Sequence, residues 1–144
     1  MKKKMANLSS KLIKLHRDLL FFQAALAEKA DDRQYTPYDL LSLSIHDVRF
    51  EWLRKFSELI TQIDMITDDK ENKPFDLQAI INETKNLVEG QASDISTNYN
   101  LALQGNPEII LKQIDVKKAL AELEPHLLTL HEAHTENEKK KYQH

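Results

Sequence analysis

The stretch "SIHDVRFEWLRKFSELITQID", Ser44–Asp64, decides how this chain folds. Placed on a helical wheel at about 100° per residue, Phe50, Leu53, Phe56, Ile60 and Ile63 share one side, with Trp52 and Leu59 at its margin. Glu51, Lys55, Glu58 and Gln62 share the other. An apolar stripe opposite a charged face is the pattern of a helix that packs against a core on one side and meets water on the other. Asp47 is positioned to cap its start. His46, Arg49, Ser57 and Asp64 fall near the centre of the apolar side, and there a charge needs a partner. Arg49 and Asp64 are therefore expected as structural clamps at the two ends of the stripe; the alternative is a ligand-binding cluster of His46, Arg49, Trp52, Ser57 and Asp64. His46 and Asp47 are sequence neighbours, which do not face each other on a helix, so spacing makes no dyad of them.

Towards the N-terminus, Thr36, Pro37 and Asp39 form a helix-start signal, with a capping hydroxyl, a proline at the first helical position and an acid at the third. A short helix to about Ile45 follows from it. Before that, from Leu8, the residues Leu12, Leu15, Leu19, Phe22 and Leu26 alternate steps of four and three, predicting a long first helix capped by Asn7 or Ser9. Ile13, Leu20, Phe21 and Ala24 lie beside or behind this stripe. The first helix is thus expected to pack against two neighbours or to offer Leu20, Phe21 and Ala24 as an interaction surface. Towards the C-terminus, Asp76 can cap a helix through Leu77, Ile80, Ile81, Thr84, Leu87 and Val88, closed by Gly90. "SDISTNYNLALQG" reads as a weaker helix, and Asn106 with Pro107 starts the last one, whose stripe runs through Val116, Leu120, Leu123, Leu127 and Leu130. Pro125 is expected to kink or divide it. The prediction is an all-α, single-domain helical bundle over residues 1–144, with four principal helices plus two short connecting helices, a core over about 7–134 and flexible ends at 1–6 and 135–144.

Composition agrees with that architecture and removes several chemistries. The chain has 144 residues, 2 glycines and 4 prolines, a palette of helices joined by short connections. A formal charge of −3 argues against a dedicated nucleic-acid binder. Without cysteine there is no disulfide, thiolate metal site or thiol nucleophile. No apolar run is long enough for a membrane span. The N-terminal residues have some colouring of an export signal, but Arg17 and Asp18 abut the apolar run and Gln23 interrupts it, so an amphipathic helix and a cytoplasmic location are expected. Lys2, Lys3, Lys4, Lys11, Lys14 and Arg17 precede any acid and read as a solubilising end, with a membrane or nucleic-acid contact as the alternative.

In "EPHLLTLHEAH", His131 and His134 can share a helix face, so His126, His131 and His134 form a candidate metal site, with His16 as a possible ligand from across an interface. The zinc-peptidase pattern HExxH is absent, only HExH being present, and paired Glu-x-x-His motifs for a di-metal bundle are missing. "DDKENKPFDLQA" fails as a calcium loop because Lys73 and Ala79 stand at the glycine and glutamate positions. No phosphate loop, nucleophile elbow or dinucleotide fingerprint occurs, and no cofactor is expected.

The stretches "LIKLHRDLLFFQAALAE", "HDVRFEWLRKFSELITQID" and "NPEIILKQIDVKKAL" resemble, over about residues 8–120, a family of small uncharacterised bacterial helical proteins. His46, Asp47, Phe50, Trp52, Leu53, Arg54, Ser57, Glu58 and Asp64 stand at the matching positions. The resemblance implies a bacterial, soluble, all-helical domain and carries no catalytic residue. The functional expectation is a non-catalytic interaction or regulatory module with a protein partner or a second copy of itself. The rival is a small-ligand or metal-binding bundle that uses His46, Arg49 and Trp52, or else the C-terminal histidines.

Overall fold

A computed structural model describes the backbone of residues 1–90 and 95–142, and the side-chain surroundings of residues 1–90 and 95–127. Six α-helices follow in order: α1 (Lys2–Asp31), α2 (Pro37–His46), α3 (Arg54–Asp68), α4 (Leu77–Val88), α5 (Ser96–Gly105) and α6 (Pro107–Tyr142). A 3-10 helix, Val48–Leu53, joins α2 to α3, and the described residues include no strand. The fold is an all-α helical bundle in which α1 packs between α3 and α6, while α4 bridges α3 and α6. One apolar core draws on every element except α2, which buries no residue.

The helix expected over Ser44–Asp64 is in fact three pieces. Asp47 has an extended backbone and ends α2; its carboxylate then accepts the Arg49 backbone N–H at 2.9 Å, capping the 3-10 helix instead of an α-helix. At three residues per turn, Phe50 and Leu53 align on one side, and Trp52 turns inward to 6% exposure from the margin where a continuous wheel would leave it. α3 then supplies Phe56, Leu59, Ile60 and Ile63 to the core. Glu51, Lys55, Glu58 and Gln62 are all exposed, as the wheel requires. Phe56 is the aromatic hub, edge-on to Trp52 at 6.4 Å and stacked on Tyr99 at 5.9 Å.

α1 differs from its expected course at both ends. It starts at Lys2 without a side-chain cap, so Asn7 and Ser9 lie inside the helix, and Met5, within the end expected to be flexible, is fully buried. Met5 extends the spacing of Leu8, Leu12, Leu15 and Leu19 by one turn. Further on, the strict heptad through Phe22 and Leu26 fails: Leu26 is exposed, whereas Gln23 and Ala27 are buried. A heptad repeat drifts by about 20° per seven residues against a straight 3.6-residue helix, so residues one step later rotate into the core.

The other helix signals work as read. Thr36 and Asp39 form a reciprocal capping box, Asp76 accepts the Ala79 N–H at 3.0 Å, and Asn106 accepts the Glu108 N–H at 3.1 Å ahead of Pro107. Gly90 has φ of 68° just beyond α4, the left-handed turn that glycine adopts without a Cβ penalty. The last carbonyl of α4, on Val88, accepts from both the Tyr99 hydroxyl at 2.7 Å and the Gln113 amide at 2.6 Å. Pro125 does not divide α6. Both Pro125 and Ala121, whose carbonyl loses its helical donor there, are exposed, so water can satisfy that group.

α1 runs antiparallel to the 3-10 helix and α3, and a series of polar bridges marks the seam. Asp31 meets Arg49, Gln23 meets Trp52, His16 meets Ser57, Ser9 meets Asp64, and Lys2 reaches the Asp69 carbonyl. On α1 the bridging positions 2, 9, 16 and 23 are one heptad apart. They form a polar line beside the apolar stripe, fixing the register of α1 against α3 where dispersion contacts alone would tolerate sliding.

Candidate functional site

This seam places the residues of the candidate polar cluster one by one and separates them. Arg49 and Trp52 line a groove of about 550 Å³ with Gln23, Glu51, Lys55 and Glu58. Ser57 lines a second groove, Asp64 a third, and His46 stands exposed at the end of α2. Arg49 is a clamp: its guanidinium donates to Asp31 at 3.0 and 3.1 Å and to Asp47 at 2.8 and 3.0 Å. The Arg49 hydrogen bonds hold both the Asp31 and Asp47 carboxyls below the usual carboxylate range, the Tyr35 hydroxyl adding to the effect on Asp31. The two carboxylates in turn raise the guanidinium's own pKa. Asp64 accepts from the Ser9 hydroxyl at 2.5 Å, which satisfies a serine that is 3% exposed. Arg49 and Asp64 are thus each paired across the seam with a side chain of α1, as expected of structural clamps.

The second groove has a different character. Its volume is about 460 Å³, and Leu20, Ile45, Phe50 and Leu53 provide its apolar walls, with His16, Ser44, Arg54 and Ser57 as its polar groups. Within it the Ser57 hydroxyl and His16 Nε2 are 3.1 Å apart. Burial lowers the His16 pKa, favouring the neutral ring that can accept the Ser57 proton. A serine beside a neutral imidazole is the beginning of a nucleophile and base pair, but no described carboxylate hydrogen-bonds His16 to orient it. The contact serves as a cross-helix bridge. Comparison with protein-family models, with curated proteins and with solved structures finds no match.

Among the described residues, no group of three or more His, Asp or Glu is placed to hold a metal ion. His16 is engaged with Ser57, and the side chains of His131 and His134 lie outside the described residues. Of the surface proposed on α1, Phe21 is 55% exposed, Leu20 is half-buried in the groove with Ser57, and Ala24, at 3% exposure, belongs to the core. Ala24 moves inward for the reason Leu26 moves outward, the drift of the α1 heptad. No described helix is long and apolar enough to cross a membrane.

Among the described residues, an outward apolar line runs along α2 into the 3-10 helix. Tyr38, Leu41, Ile45 and Val48 follow one another at steps of three, four and three, and are 78%, 58%, 52% and 75% exposed. Leu40 and Leu43, on the opposite side, rest against the core, so α2 is apolar on both faces. The signal was in the sequence: "YDLLSLSIHDV" carries two interleaved stripes, more apolar residues than one buried face requires.

Proposed function

We propose that the protein is a non-catalytic interaction module that associates through the outer face of α2. The observation carrying this reading is the exposed line Tyr38, Leu41 and Ile45 on α2, a helix that buries no residue of its own, with Val48 exposed at the start of the 3-10 helix. Contiguous exposed apolar side chains at heptad spacing match a partner helix presenting the same spacing. A second copy of α2 meets that condition. Ser42 and Ser44, which flank the line on α2, carry no charge to repel it. Four side chains cover far less than the roughly 800 Å² per partner of a standard stable interface, so the association is weak and concentration-dependent. A bacterial origin and a cytoplasmic setting, implied by the resemblance and the composition, belong to the same reading.

Light scattering across a wide concentration range tests it. The expected result is a mass that rises towards the dimer, is returned to the monomer by Leu41→Asp, and is unchanged by Phe21→Asp on α1. A monomeric mass at every concentration would overturn self-association through α2. Loss of the dimer in Phe21→Asp alone would move the interface to α1.

A further inference from the structure

The groove beside the His16–Ser57 bridge has the chemistry of a binding site for an anionic amphiphile. Its volume of about 460 Å³ lies in the range of small-molecule pockets, roughly 300–1,000 Å³. Leu20 of α1 and Ile45 of α2 supply its accessible apolar side chains, over a floor of the buried Phe50 and Leu53 from the 3-10 helix. No acidic residue lines it. Its one fixed charge is Arg54, whose guanidinium donates to the Ile45 carbonyl at the end of α2 and makes no ion pair among the described residues. Arg49, five positions earlier, is by contrast neutralised by two aspartates.

An exposed guanidinium with remaining donors beside an apolar trough matches a carboxylate joined to an aliphatic chain. We infer that this groove binds a medium-chain aliphatic carboxylate, with the chain between Leu20 and Ile45 and the head group on Arg54. The occupant would lie between α2 and the body of the bundle. The groove shares Ile45 with the outer line of α2 but not Leu41, so Leu41→Asp, which tests self-association, should leave binding in the groove unchanged.

Decanoate, 1-decanol and decyltrimethylammonium, which share an apolar chain and differ in head-group charge, are titrated below their aggregation limits into the full chain, with binding read by calorimetry and by amide shifts of His16, Leu20 and Ser57. The expected result is saturable binding of decanoate, at least about tenfold tighter than either analogue, the worth of one charge-assisted contact. Arg54→Gln should remove the preference for decanoate over decanol, and Arg54→Lys should restore part of it. Ile45→Asn, at a position 52% exposed, should weaken both without unfolding the chain. Equal or tighter binding of decanol or decyltrimethylammonium, no saturable binding of decanoate, or a preference that survives Arg54→Gln would each overturn the proposal.

Discussion

Gln23 Oε1 accepts the indole N–H of Trp52 at 3.0 Å, with the two side chains only 7% and 6% exposed. This closed pair explains why a glutamine occupies the core side of α1: the buried indole needs an acceptor, and the amide supplies one from the facing helix.

Removing the acceptor should cost more than the loss of a surface contact. Gln23→Leu leaves the buried indole N–H without its partner, a destabilisation of about 1–3 kcal/mol. Chemical denaturation measures the cost, and Trp52, the sole tryptophan, reports the change through its own fluorescence. Unchanged stability and emission would mean that water replaces the amide.

Gly90 turns the chain after α4 with φ of 68°, and a Cβ there would sit 3.3 Å from both Tyr99 and Asn100. Gly90→Ala should destabilise the fold by about 1–2 kcal/mol from the left-handed backbone alone. Gly90→Asn should cost less, since asparagine tolerates that region better. Equal denaturation midpoints for Gly90→Ala and the parent would sink the strain argument.

His16 gives the seam a pH dependence of definite sign. Its folded pKa lies below the ordinary 6.5, so the unfolded chain binds the proton more readily. The neutral ring's contribution is fully present above that ordinary value and is lost as pH falls below it. Stability should therefore decline between neutral pH and the carboxylate range, and His16→Gln should flatten that decline. An unchanged slope in the variant would assign the dependence to other groups.

The Arg49 clamp works in a lower window. Asp31 and Asp47 are held below their ordinary 3.8, so their contribution is present above that value and lost as pH falls through their folded pKa values. In Arg49→Gln both carboxyls should titrate closer to the ordinary range, followed by their side-chain NMR shifts. Two unmoved titrations would show that Arg49 does not set them. The clamp's side chains are partly solvent-accessible, so its loss should loosen the junction of α1 with the 3-10 helix more than it lowers global stability.

Much of the fold is legible in local chemistry. The cap at Asp76, the box of Thr36 and Asp39, the glycine turn at Gly90 and the restart at Asn106 and Pro107 each depend on residues within a few positions of one another, and each sits where the sequence puts it. The wet face of Glu51, Lys55, Glu58 and Gln62 follows from periodicity in the same way. Other features depend on distant partners. Gln23 is core because Trp52 faces it, Ala24 is core because the α1 heptad drifts, and Trp52 is inward because Asp47 converts the next turn to a 3-10 helix. The polar residues of the central stretch were visible from the start, but their pairing was not. Asp31, Ser9 and His16 lie 18, 55 and 41 positions from the groups they meet, and no local pattern encodes contacts across such separations.

Propensity, capping and periodicity act over one or two turns, and they were enough for the all-α class and for the caps at Thr36, Asp76 and Asn106, but not for the start of α1 or the 3-10 break at Asp47. Which polar residues pair across the α1–α3 seam, which face of α2 is left uncovered, and that Arg54 makes no ion pair among the described residues are settled by tertiary packing. Those outcomes depend on how one helix is rotated against another, a quantity set by the packing of the whole core.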